Sequence, residues 1–340
     1  MTTEISNPAG VAEANPSTQT SGPGSSSKSL PLVSIGLPVF NGEQFLEQCL
    51  DAILQQTYRN FELIISDNAS TDRTESICRS YAERDRRVQY HRHSRNRGVT
   101  WNFRQVVLLA RGEYFLWMAH DDYLAPEYIE RCLELMQANP GTVLCYSKGI
   151  EVDEKGAQLG RKEQVLNVDG PLAHERFREL IRMEHNCESI FGLIRSNLLR
   201  KTSIHGDFPD SDRCVLAELA LYGPFAKLPE YLFFHREHTQ RVTKQFPTRQ
   251  ERMFRLNPDR HFRLVFPHFR QLGEYVAAIR RSPLNFRERW ACYLQLLGWL
   301  RRYRARLIAD LRWVVVHMLL PVRGWFRRSG SSRGTHGALA

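Results

Sequence analysis

The sequence predicts an α/β protein, a mainly parallel sheet flanked by helices, with a helical extension at its C-terminal end. Three observations carry that prediction. Short apolar, β-branched runs alternate with stretches of helical period between residues 31 and 243. Polar and acidic residues gather directly after those runs, at what would be the ligand-binding edge of an open α/β sheet. Beyond residue 244 the chain changes to long, basic, helix-compatible segments.

Residues 32–37 form an apolar run ended by Pro38, a buried first strand by length and flanks. Phe45, Leu46, Cys49, Leu50, Ile53 and Leu54 then recur on one helical face. Residues 61–66 read as a second strand, and Asp72 with Glu75 three positions on resembles a capping pattern for the helix after it. Residues 88–91 predict a third strand and 99–109 another amphipathic helix. The fourth strand, 114–118, leads into Asp121 and Asp122; a helix over 126–138 and a fifth strand over 143–147 follow. Alternation of this kind implies parallel strands covered on both faces.

The ends of the chain differ from this body. Residues 15–29 are nearly all Ser, Thr, Pro, Gly and Gln, too polar to offset the entropy of ordering, so 1–30 is expected to be a disordered arm. It lacks the basic start and apolar run of a signal peptide. The net charge of +10 is unevenly spread: residues 241–340 hold 21 Lys and Arg against 5 Asp and Glu, leaving 26 against 32 in the rest. An acidic body therefore carries a basic tail. Seven scattered cysteines with no Cys-x-x-Cys spacing argue for reduced, buried thiols in a cytoplasmic protein, with neither disulfide framework nor zinc site.

The acids at the strand ends allow two readings. Asp121 and Asp122 can hold a hard divalent cation, which would neutralise a diphosphate, or they can merely cap the following helix. After the first strand, residues 38–43 form a turn whose helix start is expected to offer backbone N–H groups to an anion. After the second, Asp67, Asn68, Ser70 and Asp72 are expected either to cap a helix or to meet a base and ribose. Gly-x-Gly-x-x-Gly and Gly-Lys-Ser/Thr loops are both absent from this sequence, which removes the main support for dinucleotide binding and P-loop chemistry.

Four segments in register carry a resemblance. They are residues 36–43 (Gly-Leu-Pro-Val-Phe-Asn-Gly-Glu), residues 66–72 (Ser-Asp-Asn-Ala-Ser-Thr-Asp), Asn96-Arg97-Gly98 with Asn102, and His120-Asp121-Asp122 before Pro126. Together they resemble the family 2 inverting glycosyltransferases over residues 31–243. The resemblance implies a GT-A type domain that binds a nucleoside diphosphate sugar, UDP or dTDP in its donor, and a Mg²⁺ or Mn²⁺ ion. Pro38, Phe40, Asn41, Glu43, Asp67 and Asn68 would surround the base and ribose, and Arg97 the donor phosphates. Asp122 would be the direct metal ligand, with Asp121 a second one nearer the ribose. Asp212 stands where the family has its catalytic base, although a charge at a helix N-terminus is its alternative. His238 matches a segment that can approach the diphosphate. Two departures stand out: Asp67-Asn68-Ala69 where many relatives have Asp-Asp-Gly, which bears on the base since Asn can donate as well as accept, and Ala119 where many have a further acid.

The expected activity is thus metal-dependent transfer of one hexosyl group to a saccharide or lipid-linked acceptor in bacterial surface polysaccharide or glycolipid synthesis. A sugar-nucleotide pyrophosphorylase is the first alternative, but residues 38–43 lack its Arg and Lys. A non-catalytic module with a nucleic-acid-binding tail is the second; the tail has no nucleic-acid motif, so no nucleic acid partner is expected. Residues 244–328 are expected to be basic helices and 329–340 a flexible tail. Residues 307–320 hold 14 positions including Asp310 and Arg312, too short and too charged to span a bilayer, which takes roughly 20 apolar residues. These helices, with Trp299, Trp313 and Trp325, would either lie in the lipid headgroups at the inner face of the cell membrane or pack on the catalytic domain or a second subunit.

Overall fold

The expected first strand is β1, Val33–Val39, buried at every position in the structure, a computed structural model. The structure describes residues 30–163, 166–182, 185–239, 241, 244 and 266–319, with side chains of the last helix described as far as residue 312. The chain divides into two units, Met1–Leu30 and Pro31–Ala340, and every element belongs to the second. Beyond Leu30, the expected N-terminal arm lies outside the described residues, as do Trp325, the side chain of Trp313 and the expected 329–340 tail.

β1 pairs in parallel with β2 (Phe61–Asp67) on one side and β4 (Tyr114–Trp117) on the other, and β2 with β3 (Val88–Arg92). Helices α1 (Leu46–Leu54), α2 (Thr74–Arg84) and α3 (Val99–Leu109) connect these strands. The register keeps the strand ends level, with Val39 opposite Asp67 and Asp67 opposite Arg92. Met118 extends the edge by donating its N–H to the Gly36 carbonyl at 2.9 Å. The polar segments after β1, β2, β3 and β4 therefore emerge along one edge.

The second half is more elaborate than the sequence suggests. A two-residue strand β5 (Tyr123–Leu124) precedes α4 (Tyr128–Ala138), so that helix opens two residues later than Pro126. The fifth expected strand is longer, β6 (Leu144–Val152), and pairs with a hairpin partner β7 (Gln158–Lys162). α5 (Ala173–Arg182), a 3₁₀ turn at Glu188–Phe191, β8 (Leu193–Arg195), α6 (Ser196–Leu199), α7 (Ser211–Tyr222) and β9 (Phe225–Arg236) follow. The sheet runs β3-β2-β1-β4-β8-β6-β9-β5 with β7 on β6. β8 is antiparallel to both β4 and β6, and β5 to β9, whereas β6 and β9 run parallel.

Strand alternation splits the core between the two faces of the sheet. Ile35, Leu37, Leu63, Ile65 and Leu116 pack with α1, α2 and α4. Ile64, Phe115 and Trp117 face the other way, toward α3, α5 and α7. α8 (Pro267–Arg281) and α9 (Phe286–Leu319) add Tyr275, Ile279, Cys292 and Leu296 to that second core. Three polar ties hold them: Arg281 to the buried Glu218 at 2.8 Å, Glu288 to His174 and Asp310 to His268, both at 3.0 Å. Trp299 does not face outward as expected of an interfacial indole; it is buried, stacked on Tyr303 and edge-on to Tyr275, because its side of α9 is the side that meets α8. All seven cysteines are buried and unpaired.

Candidate active site

The loops after β1 and β2 are stitched into one surface. Asn41 N–H donates to Ser70 Oγ at 2.9 Å, Gly42 N–H to Thr74 Oγ1 at 2.9 Å and Glu43 N–H to Asp72 Oδ2 at 3.1 Å. In return Asn41 Oδ1 accepts from Thr71 N–H, and the Glu43 carboxylate accepts from the backbone and guanidinium of Arg73. The N–H groups of residues 41–43 thus already have acceptors within these loops. At α2 half of the capping pattern forms: Asp72 Oδ1 accepts from Thr74 N–H at 3.0 Å, whereas Glu75 pairs with Arg79 and Arg92. Gly42 has to be glycine because a Cβ there would meet the His120 ring at 2.6 Å.

Beneath that surface lie Asp67 and Asn68, both buried. Asp67 accepts from Ser70 N–H at 2.8 Å and from Tyr90 Oη–H at 2.7 Å, with Arg92 Nε 3.6 Å away. A carboxylate has about four acceptor positions, so capacity for a ligand N–H remains. Asn68 is different: its amide donates to Asn96 Oδ1 and to the Gly98 carbonyl, while its Oδ1 accepts from Arg97 N–H. With both amide hydrogens spent, Asn68 holds the 96–98 loop, and the expected contact from its amide to a base is replaced by that role. Arg97, exposed, lies with its guanidinium 4.7 Å over the Trp101 ring. Gly98, at φ +92°, lets the chain turn from this loop into α3.

Several contributors were not singled out by sequence. Tyr90 and Arg92 brace Asp67, and His93 accepts or donates a hydrogen bond with Ser66 Oγ at 2.8 Å while lying edge-on to Trp101. The 91–93 segment is thus built into the loop surface. Asn102 ties β1 to β2 by donating to the carbonyls of Val39 and Ser66. For Tyr90, Arg92 and His93 the signal was only their position at a strand end, whereas Asn102 belongs to the third segment of the resemblance.

Asp121 and Asp122 follow β4 at the same edge. Asp122 is buried; its Oδ1 accepts the Arg236 N–H at 2.9 Å, and its Oδ2 lies 3.6 Å from His235 Nδ1. Tyr123 stacks on Phe234 with ring centroids 4.5 Å apart, which pins β5 to β9 and so sets this geometry. Asp121 Oδ2 meets His238 Nε2 at 2.9 Å. Burial alone would raise the Asp121 carboxyl, but the His238 hydrogen bond and the charges of His120 and His238 outweigh it and hold the group well below the usual carboxylate range. His238 Nδ1 is buried without a partner. Arg236 spends its guanidinium on the carbonyls of Asp121, Asp153 and Glu154 and on Gln48.

Among the described residues no group of three or more His, Cys, Asp or Glu is placed to hold a metal ion. Two adjacent carboxylates suit Mg²⁺ or Mn²⁺ shared with a bound diphosphate and water, the usual arrangement for a small hard cation. They do not suit a self-sufficient protein cage.

Asp212 is reached through the 203–212 loop. The His205 ring lies edge-on to both Trp117, the last residue of β4, and Phe103 of α3, each at 5.2 Å, and Thr100 Oγ1 donates to Asp207 at 3.1 Å. These contacts set residues 205–207 of the loop beside the end of β4 and the first turns of α3. Asp210 adopts the left-handed region at φ +62°, and Asp212 Oδ1 accepts from Arg213 N–H. Burial, with the charge of Asp210, pushes the Asp212 carboxyl above its ordinary value despite the nearby Arg213. Asp212 thus lies in the first turn of α7, where the helix dipole favours a carboxylate, with a carboxyl that burial raises.

An uncharacterized glycosyltransferase of Rickettsia typhi is 33% identical over 130 residues, covering 38% of this chain and 40% of that protein, so the match spans less than half of the relative's length. An uncharacterized glycosyltransferase of Haemophilus influenzae is 25% identical over 221 residues, 64% of this chain and 68% of the relative. Among solved structures, TarS of S. aureus in complex with UDP-GlcNAc superposes with a TM-score of 0.60 at 14% identity, covering 83% of this chain and 80% of that one. The mannosyltransferase PcManGT of Pyrobaculum calidifontis, in complex with GDP-Man and Mn²⁺, gives 0.51 at 15% identity, covering 86% and 82%. At such identities the likeness is one of fold, a GT-A glycosyltransferase fold. Residues 34–204 match the sequence profile of glycosyl transferase family 2, and with half of its length inside that match, at the segment that carries the paired acids, this chain belongs to that family.

Proposed function

We propose that the protein is an inverting glycosyltransferase that moves one hexosyl group from a nucleoside diphosphate sugar to an acceptor hydroxyl. The observation that supports this reading is the pair Asp121 and Asp122 at the end of β4, each bonded to a residue at or just after the end of β9, beside which stands the raised carboxyl of Asp212 at the start of α7. Asp67 and the Phe40–Asn41 turn would receive the base and ribose, with UDP or dTDP as the nucleotide, and Arg97 the phosphates. Asp212 would take the proton of the acceptor hydroxyl as its oxygen attacks the anomeric carbon, while the bond from that carbon to the diphosphate oxygen breaks on the opposite face. One such displacement inverts the anomeric centre. A divalent cation held by Asp122 and Asp121 would stabilise the charge that develops on the departing diphosphate. Arg236 and His238 orient those two acids and are not themselves expected to meet the acceptor.

The acceptor class follows family habit: a saccharide or lipid-linked acceptor in bacterial surface polysaccharide or glycolipid synthesis. The test is a melting-temperature panel of UDP, dTDP, GDP and ADP, each with and without Mn²⁺, since a ligand that binds only the native state must stabilise it. UDP or dTDP should raise the melting temperature most, and chiefly with Mn²⁺ present. Equal shifts from ADP, or none from any nucleotide, would overturn the donor assignment.

A further inference from the structure

α9 has two apolar sides, and the fold uses only one. Cys292, Leu296, Trp299, Tyr303 and Leu307 are buried against α5 and α8. At about 100° per residue, Phe286, Trp290, Leu294, Leu297, Ile308 and Leu311 lie within an arc of about 100°, roughly 140° around the helix from the buried side. Each of the six is 47–74% exposed. Scattered single exposed apolar residues are normal on a surface, but six aligned on one helix over seven turns are not.

The charge on the helix says what this stripe fits. Arg301 and Arg304 fall within the same arc between Leu297 and Ile308, with Arg302 and Arg312 exposed beside them. The helix has two acids, Glu288 and Asp310, and both point inward, bonded to His174 and His268. Its outer side thus presents apolar and cationic groups only. A second copy of the helix docked on this stripe would bring arginines against arginines with no acid on either helix to meet them. An anionic bilayer surface offers headgroup charge and acyl chains at once, which is what a helix with Trp, Phe and Leu flanked by Arg requires. No helix among the described residues is long and apolar enough to cross a membrane, so the mode of contact is lying along the surface.

We infer that the outer side of α9, from Phe286 to Arg312, is a docking surface for an anionic lipid membrane. The inference does not depend on the transfer reading, and nucleotide binding provides an independent control. It also relocates the expected membrane contact: Trp299 belongs to the core, and Trp290 takes the outward position.

The experiment is flotation of the full chain with vesicles of phosphatidylcholine alone or with about 30 mol% phosphatidylglycerol, at about 50 mM and about 500 mM salt. Wild type should float with the anionic vesicles at low salt, at least about tenfold more than with the neutral ones, and lose part of that binding at high salt. The combined Trp290→Ser, Leu294→Ser and Leu297→Ser variant and the Arg301→Gln, Arg304→Gln variant should each lose at least about tenfold in bound fraction. Because all five side chains are exposed, melting temperature and UDP binding should stay at wild-type values. A wild-type protein that never floats, or apolar-stripe variants that float as well as wild type, would overturn the inference. So would a triple variant whose only change is from oligomer to monomer in size-exclusion chromatography, which would make the stripe an interface between copies.

Discussion

The backbone N–H of Arg236 donates to Oδ1 of Asp122 at 2.9 Å, so the final residue of β9 fixes the carboxylate proposed to hold the metal. Removing that carboxylate should therefore do two separable things. Asp122→Ala should abolish metal-enhanced nucleotide binding and transfer, and should also cost about 1–3 kcal/mol of stability by leaving a buried N–H without an acceptor. Asp122→Asn keeps an acceptor and should recover most of the stability but not the metal effect. Calorimetric titration of UDP with and without Mn²⁺, beside urea unfolding of both variants, separates the two; undiminished turnover in excess EDTA would remove the metal from the mechanism.

Asp212→Asn should leave melting temperature and UDP binding unchanged while lowering turnover by at least about 10²-fold. Its raised carboxyl has a further consequence for wild type: the acid limb of kcat/KM should lie above the ordinary carboxylate range, because the base must be ionised to act. The limb should vanish from the residual activity of the Asn variant. An NMR assay of the product should show inversion at the anomeric carbon, and retention would exclude a single displacement.

How much of this was legible in the sequence depends on the range of the interactions. Strand and helix periodicity located β1 to β4, and α3 to the residue, because those signals are local. The paired acids were legible by their place after an apolar run. β5, β8 and the pairing of β9 with β6 were not, because strands of two or three residues carry no periodic pattern and are defined by partners far along the chain. The same holds for side chains. Asn68 has the residue type of a ligand contact, and only the folded loops reveal that Asn96 and Gly98 already take its amide hydrogens. Trp299 and Trp290 read alike on a basic amphipathic segment until α8 selects which face is covered.

Ala69 records a departure that the structure makes physical. Its φ is +63°, in the left-handed region where an L side chain crowds the following carbonyl and glycine does not. Ala69→Gly should relieve about 1–2 kcal/mol of strain and give back up to about 1 kcal/mol in unfolded-chain entropy, for a net gain of up to about 1 kcal/mol. Urea midpoints of the two proteins measure it. Nucleotide affinity should hold or improve, since Asp67 keeps its bond from Ser70 N–H; a clear loss of stability would mean the side chain of Ala69 packs in a way that outweighs its backbone strain.

Acid should weaken the fold through two histidines, His205 in the 203–212 loop and His185. Burial draws His205 down to about 4, and burial with the nearby Arg213 charge does the same to His185. Both are held neutral in the folded protein and would titrate near 6.5 when unfolded. The unfolded chain therefore binds more protons between these values, so stability is complete above about pH 6.5 and declines as pH falls toward about 4. At pH 5 each should remove about 1–2 kcal/mol. His205 Nε2 is buried without a hydrogen-bond partner and its ring packs on Phe103 and Trp117, so His205→Phe offers a close test of this share. The variant should lose less stability than wild type between pH 7 and pH 5 in urea titrations. If the two decline in parallel, the acid sensitivity arises elsewhere and the ring of His205 is not held neutral by its surroundings.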